Sequence, residues 1–349
     1  MPEQSSEVVT IAKPLVVALP ITALLFANVG YWAFRSPVEE PALLATFRGH
    51  TAPVSAIAIS ADKRTLASGS EDESAKIWDL ATGKALFTLK GHKQDVRALG
   101  FSADGKMLAT GWQDVKLWDV DTGKELAMLP LHRGVITVVF SPDGRTLATE
   151  SDGELVQLWN VETRQLKATL QNYLGSRTSG LAFSRDGKLL ATASETEPYP
   201  KLPKLWDAAT GELLTTFEGQ ETRPSCVAFS PDGTTLAVGA WRPHVKLYDV
   251  QTKKERATLR HTCMISNVVF SADGKTLAMS GAIGKPGEAP EVVLWDVATG
   301  ERLRTLRPNR KNVSLVGQSF TAQAFSPEGK LWATGCADNT IKLWKLVDD

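Results

Sequence analysis

Seven aromatic residues punctuate this chain at near-regular intervals: Trp78, Trp118, Trp159, Trp206, Tyr248, Trp295 and Trp344, roughly 40 to 49 residues apart. Each closes one copy of a recurring segment. In the first copy Thr65-Leu66-Ala67-Ser68-Gly69 precedes Lys76-Ile77-Trp78-Asp79; in the last, Leu331-Trp332-Ala333-Thr334-Gly335 precedes Lys342-Leu343-Trp344. One such unit cannot bury its apolar faces alone, whereas stacked copies can. Short strands in fours, repeated at this period, build the blades of a β-propeller. The expected fold class is all-β, a seven-bladed β-propeller of four-stranded blades over residues 42–347, preceded by an apolar, transmembrane-like helix.

The turns support that reading. Ser102-Ala103-Asp104-Gly105, Ser141-Pro142-Asp143-Gly144 and Ser230-Pro231-Asp232-Gly233 join first strands to second strands, and Ala81-Thr82-Gly83 or Asp121-Thr122-Gly123 join third to fourth. Gly accepts positive φ in such turns and Asp bonds back to the backbone. The last copy ends after its third strand, Ile341 to Leu346, and a spare fourth-type strand, Leu43 to Phe47, stands before the first copy. Inserting the spare strand into the last blade closes the ring and removes an unpaired edge.

The residues resemble the WD40 repeat family over about residues 42–347, and the density of Ser-Pro-Asp-Gly turns is similar to its bacterial members. Gly49-His50 precedes Trp78-Asp79, and Gly91-His92 precedes Trp118-Asp119. The resemblance implies a hydrogen-bonded tetrad in each regular blade: His50, Ser68, Asp72 and Trp78, then His92, Thr110, Asp114 and Trp118, then His132, Thr149, Asp152 and Trp159. A buried indole N–H needs such an acceptor. The later copies depart from the pattern, with Met279 at the hydroxyl position of the sixth and no Gly-His in the fourth. The first blades are expected to be the most regular.

Ahead of the repeats, residues 14–34 contain no charged side chain, after a short polar tail at 1–13 and before a linker at 35–41. Such a helix spans about 31 Å, the thickness of a bilayer core. The expectation is a single-pass membrane anchor of undetermined orientation, with export after signal cleavage as the alternative. Lys13 on one flank and Arg35 and Arg48 on the other do not decide the side.

Lys+Arg and Asp+Glu are equal at 39 each, so no nucleic-acid partner is expected. The three cysteines are spread without metal or disulfide spacing, and no metal or cofactor is expected. No nucleophile elbow or phosphate loop occurs, so the chain is read as a non-enzyme. Strand order sorts the loops onto two faces. Nearly invariant turns share one. The other collects almost every irregularity: the insertion with Tyr199, the insertion at 281–290, the approach loop from Arg307 to Ser319 with Arg310 and Lys311, and the turns carrying Trp112, Trp241 and Arg242. Loops on a rigid scaffold are where recognition concentrates. This face is the candidate docking surface for a protein partner, with an enzyme or small-ligand binder using the central channel as the alternative. The Arg302-to-Lys311 run is a third candidate, for polyanions, and Trp332 is expected in the core.

Overall fold

The computed structural model describes residues 38–130, 134–151, 155–171, 178–194, 202–220, 223–241, 244–261, 264–282, 291–309 and 320–346. Seven antiparallel sheets follow one another in chain order. Blade one consists of Val54–Ile59, Thr65–Ser70, Ala75–Asp79 and Ala85–Leu89, from the channel outwards, and the next five blades repeat that order. Blade seven is composite. Phe320–Phe325, Leu331–Cys336 and Thr340–Lys345 are joined on the outside by Ala42–Arg48, with Leu43 opposite Trp344 and Phe47 opposite Ile341. The ring is therefore fastened by pairing Ala42–Arg48, ahead of blade one, with the last described strand, Thr340–Lys345.

Among the described residues there is no single central core. Apolar side chains gather in seven clusters, each between two neighbouring blades. The anchor aromatic of each blade packs on the blade before it: Trp78 of blade one lies among Phe47, Ile341 and Leu343 of blade seven. Trp332 is fully buried beside Trp344, ring centroids 6.1 Å apart. Because each layer needs both its blades, an open arc would expose one whole layer to water.

Two details depart from the sequence reading. The second inner strand begins at Ala98, not Val96, because the Val96 N–H turns back to donate to Ser70 O of blade one at 3.0 Å. The stretch 35–41, read as a linker, contains a strand: Val38–Glu39 adds in parallel to the outer edge of blade six, opposite Thr305 and Leu306. A two-residue strand is too short to carry a periodic signal. The apolar run 14–34 lies outside the described residues, among which no helix is long and apolar enough to cross a membrane.

Candidate functional site

The two faces of the ring are built differently. On one, each turn is fastened by side chains. Ser102 Oγ donates to Asp104 Oδ1 at 2.6 Å and accepts the Met107 N–H at 2.9 Å; Ser141, Ser184, Ser230 and Ser271 make the same donation to Asp143, Asp186, Asp232 and Asp273. The Ser102 hydroxyl, with the Lys106 N–H, holds the Asp104 carboxyl below its usual range. The Asp after the anchor aromatic acts here too: Asp79 Oδ1 accepts from the Thr82 N–H and hydroxyl, both at 2.7 Å, and Asp119, Asp207, Asp249 and Asp296 repeat this. The repeat pattern alone gives that Asp no evident role. The signal was present as the fixed Asp-to-Thr spacing of three.

On the opposite face, the tetrads sit at the roots of the approach loops. In blade one the relay is complete. Trp78 Nε1 donates to Ser68 Oγ at 2.8 Å, Ser68 Oγ meets His50 Nε2 at 2.7 Å, and His50 Nδ1 meets Asp72 Oδ2 at 2.7 Å. In blade two Trp118 and His92 both bond Thr110 Oγ1, at 2.7 and 2.8 Å. No hydrogen bond joins His92 to Asp114, whose turn is two residues shorter than that of Asp72. Trp159, Trp206 and Trp344 donate to Thr149, Thr192 and Thr334. His132 and Asp152 lie outside the described residues. Blade five compensates for Val238 at the hydroxyl position: Tyr248 brings its own hydroxyl, which donates to Glu218 O at 3.1 Å. Blade six does not compensate, and with Met279 at that position the buried Trp295 Nε1 has no hydrogen-bond partner among the described residues.

The blade-two histidine gives a pH prediction. Burial, aided by the Lys116 charge, lowers His92 from 6.5 to about 4. The folded chain refuses a proton that the unfolded chain takes up. Its contribution is therefore full above about pH 6.5 and is lost as pH falls towards about 4, by up to about 1.4 kcal/mol per unit. The stability advantage of wild type over His92→Gln should shrink across that range in urea titrations. A pH-independent difference would contradict it.

The candidate interaction residues are treated unequally by the fold. Trp241 is 43% exposed, with the Arg223 guanidinium 5.9 Å from its ring centre. Trp112 is half-buried, and its ring rests on Gly134, where an added Cβ would come within 2.9 Å. Arg97 lies over the Trp112 ring, 4.8 Å from the centroid. Arg307 is anchored: its Nε and Nη2 donate to Glu291 Oε2 at 2.8 and 2.7 Å, and its N–H donates to Glu39 O. Glu291 is 1% exposed and also stands 3.3 Å from His261 Nε2, so one buried carboxylate meets both Arg307 and His261, a grouping no local pattern encodes. Arg304 Nε donates to Glu39 Oε2 at 3.0 Å, and Arg302 stacks 5.3 Å above Trp295. Three cations of the basic run thus have structural partners inside blade six. Tyr199, Arg242, Arg310 and Lys311 lie outside the described residues.

Between the inner strands runs a channel of about 450 Å³. These strands descend from the irregular face, so position in the strand is depth. At the lip the inner strands carry a β-bulge at Ser55, Ser225, Ser266 and Thr321, and Arg97 holds the equivalent place in blade two. Three of the bulge hydroxyls latch neighbouring blades: Ser55 Oγ donates to Val96 O at 2.7 Å, Ser225 Oγ to Ile265 O at 2.5 Å, and Thr321 Oγ1 to Val54 O across the closing seam. Thr137 and Asn267 stand one level down, and Ala58, Val139, Val269 and Ala324 form the throat. Gln323 braces the wall, accepting from Trp332 Nε1 at 3.3 Å and donating to Ser266 Oγ at 3.2 Å. Among the described lining residues the ionisable side chains are Arg97 and Cys226.

Comparison with known proteins agrees with this architecture. The chain is 25% identical over 238 residues to Protein tipD of Dictyostelium discoideum, covering 67% of this chain and 36% of that protein. It is 24% identical over 241 residues to the Protein LST8 homolog of Drosophila melanogaster, covering 67% and 73%. Similarity to the Serine-threonine kinase receptor-associated protein of Mus musculus is 25% over 240 residues, covering 66% and 61%. The chain thus spans about a third of the first of these and most of the other two. The WD domain, G-beta repeat family matches residues 41–79, 83–119, 123–160, 211–249 and 300–345. With those five matches and seven closed blades, the chain belongs to the WD40 repeat family.

Proposed function

We propose that this protein is an interaction scaffold that docks a protein partner on its irregular face and is held at a membrane by residues 14–34. The observation that carries the docking reading is the contrast between the faces. One is spent on locked turns, and the other offers Trp241 with a guanidinium beside it. Exposed Trp–Arg pairs supply large contact area at low entropy cost and are common binding anchors. The name of the Serine-threonine kinase receptor-associated protein speaks of association for that relative, in line with this reading. The membrane part rests on the uncharged run alone.

Trp241→Ala should weaken capture of the partner about 30-fold or more, the effect of an anchor contributing about 2 kcal/mol. Its unfolding free energy should stay within about 0.5 kcal/mol of wild type, since the ring is surface-exposed. Pull-downs that do not change for Trp241→Ala, alone or with Trp112→Ala, would reject the surface. Full recovery of the chain in an alkaline wash of native membranes would reject the anchor.

A further inference from the structure

We propose that the outer edge of blade six is a docking strip for an acidic, extended segment of a partner protein, and that the chain's own Val38, Glu39 and Glu40 cover this strip as an exchangeable stand-in. The proposal needs neither the irregular face nor the membrane anchor.

Blade six departs from the other blades at its outer strand. Opposite the residue that precedes the anchor aromatic, the others carry an uncharged side chain, such as Ala45, Ala127, Ala168 or Ala257. Blade six carries Arg304 there. The added cation is met by an added strand, which no other blade has among the described residues: Val38–Glu39 pairs in parallel with Thr305 and Leu306. Glu39 Oε2 accepts from Arg304 Nε at 3.0 Å, and Glu39 O accepts the Arg307 N–H at 2.8 Å. Asn309 Nδ2 donates to Glu40 Oε2 at 3.3 Å. The molecule thus displays the chemistry that its own edge accepts: an extended backbone with two consecutive carboxylates. Arg304 is the cation that selects them, because Arg307 is spent on buried Glu291 and Arg302 lies over Trp295.

The cover is slight. It pairs with two of the five residues in Arg302–Leu306, and outside the remaining three no strand stands among the described residues. Leu303 on that uncovered part is 45% exposed. The side chains of Arg304 and Glu39 are 36% and 33% exposed, and ion pairs so open to water hold little. Ordering the backbone offsets most of what so short a strand returns. A segment of about six residues from another chain pairs along the whole edge, repeats both carboxylates and displaces the cover. In strand addition the main chain supplies affinity and the side chains supply choice. A phosphate, a nucleic acid or a lipid headgroup matches Arg304 but gives the edge N–H and C=O groups no main-chain partner. A second copy's own cover has little reach, since only Pro41 separates Glu40 from the strand Ala42–Arg48 that closes that copy's ring.

The test is a fluorescence-anisotropy titration of the full chain in detergent with labelled acetyl-Thr-Val-Thr-Val-Glu-Glu-amide and with its Gln-Gln counterpart. The double variant Glu39→Ala, Glu40→Ala weakens the cover. It should bind the acidic peptide about 10-fold more tightly than wild type does, and about 10-fold more tightly than it binds the Gln-Gln peptide. Adding Arg304→Gln should erase the second difference. Adding Arg304→Glu instead should transfer the preference to a Lys-Lys peptide, an outcome that misfolding cannot imitate. Trp241→Ala should leave all these affinities unchanged. No gain on weakening the cover, equal affinity for the two peptides, a Glu-Glu preference that survives Arg304→Gln, or a charge reversal without transfer overturns the proposal. Sedimentation that shows the double variant pairing with itself while it takes no peptide also overturns it, and gives the strip to a second copy.

Discussion

Phe47→Ala should lower the unfolding free energy by about 3–5 kcal/mol, the range for truncating a fully buried aromatic. Phe47 is 1% exposed and meets Trp78 edge-on, centroids 5.6 Å apart. It belongs to the outer strand of blade seven, while Trp78 belongs to blade one. The side chain therefore fills the one apolar layer that joins the two ends of the array. The same layer holds Val54, whose carbonyl accepts from Thr321, and the seam is crossed again by the Lys63–Glu328 ion pair at 2.7 Å. Lys63 is nearly half exposed, so that pair contributes little. Most of the closure energy is apolar. Leu44→Ala is the control: it sits on the same strand, 50% exposed, and should cost less than about 0.5 kcal/mol. Urea denaturation of both variants decides the matter, and a Phe47→Ala loss no larger than that of Leu44→Ala would show that the ring does not depend on this strand.

Gly69→Ala should cost about 1–3 kcal/mol, from overpacking and not from any lost contact. A Cβ there would lie 2.4 Å from Val96 O and 2.6 Å from Val96 Cγ1. The nearer atom is backbone of the next blade, so relief requires moving a strand. Gly335 is similarly pressed, with Val54 Cγ1 at 2.8 Å across the seam. Blade four tolerates a methyl at the same ladder position, where Ala193 is fully buried opposite Gly180. Ala193→Gly should then cost only about 0.5–1 kcal/mol, for backbone entropy. Equilibrium unfolding of the two variants compares them, and a Gly69→Ala protein as stable as wild type would mean that blade spacing is softer than these distances imply.

The legible part of the fold was the part written in local chemistry. Tight turns announce themselves through Ser-x-Asp-Gly, because one hydroxyl, one carboxylate and one positive φ suffice to make them. The anchors announce themselves through their spacing. Departures were readable wherever one side chain replaced another of different hydrogen-bonding capacity: Met279 leaves Trp295 Nε1 without an acceptor among the described residues. Tyr248 takes its place among the anchors by spacing alone; that its hydroxyl makes good the loss at Val238 shows only when strand neighbours are known.

What the sequence by itself determined is the number of blades, the anchor aromatics and the strand that closes the ring. All three follow from a repeat in which each unit carries its own turn and packing code, so that counting units counts blades. Only the tertiary structure decided where single, non-repeating side chains go. It placed Val38–Glu39 on the edge of blade six, spent Arg304 on Glu39 and Arg307 on buried Glu291, and laid Arg97 over Trp112 at the lip of the channel. Those pairings occur once each, and the Arg304–Glu39 pair joins residues 265 positions apart. Contacts of that kind are selected by the distances the closed ring imposes, and no period along the chain encodes them.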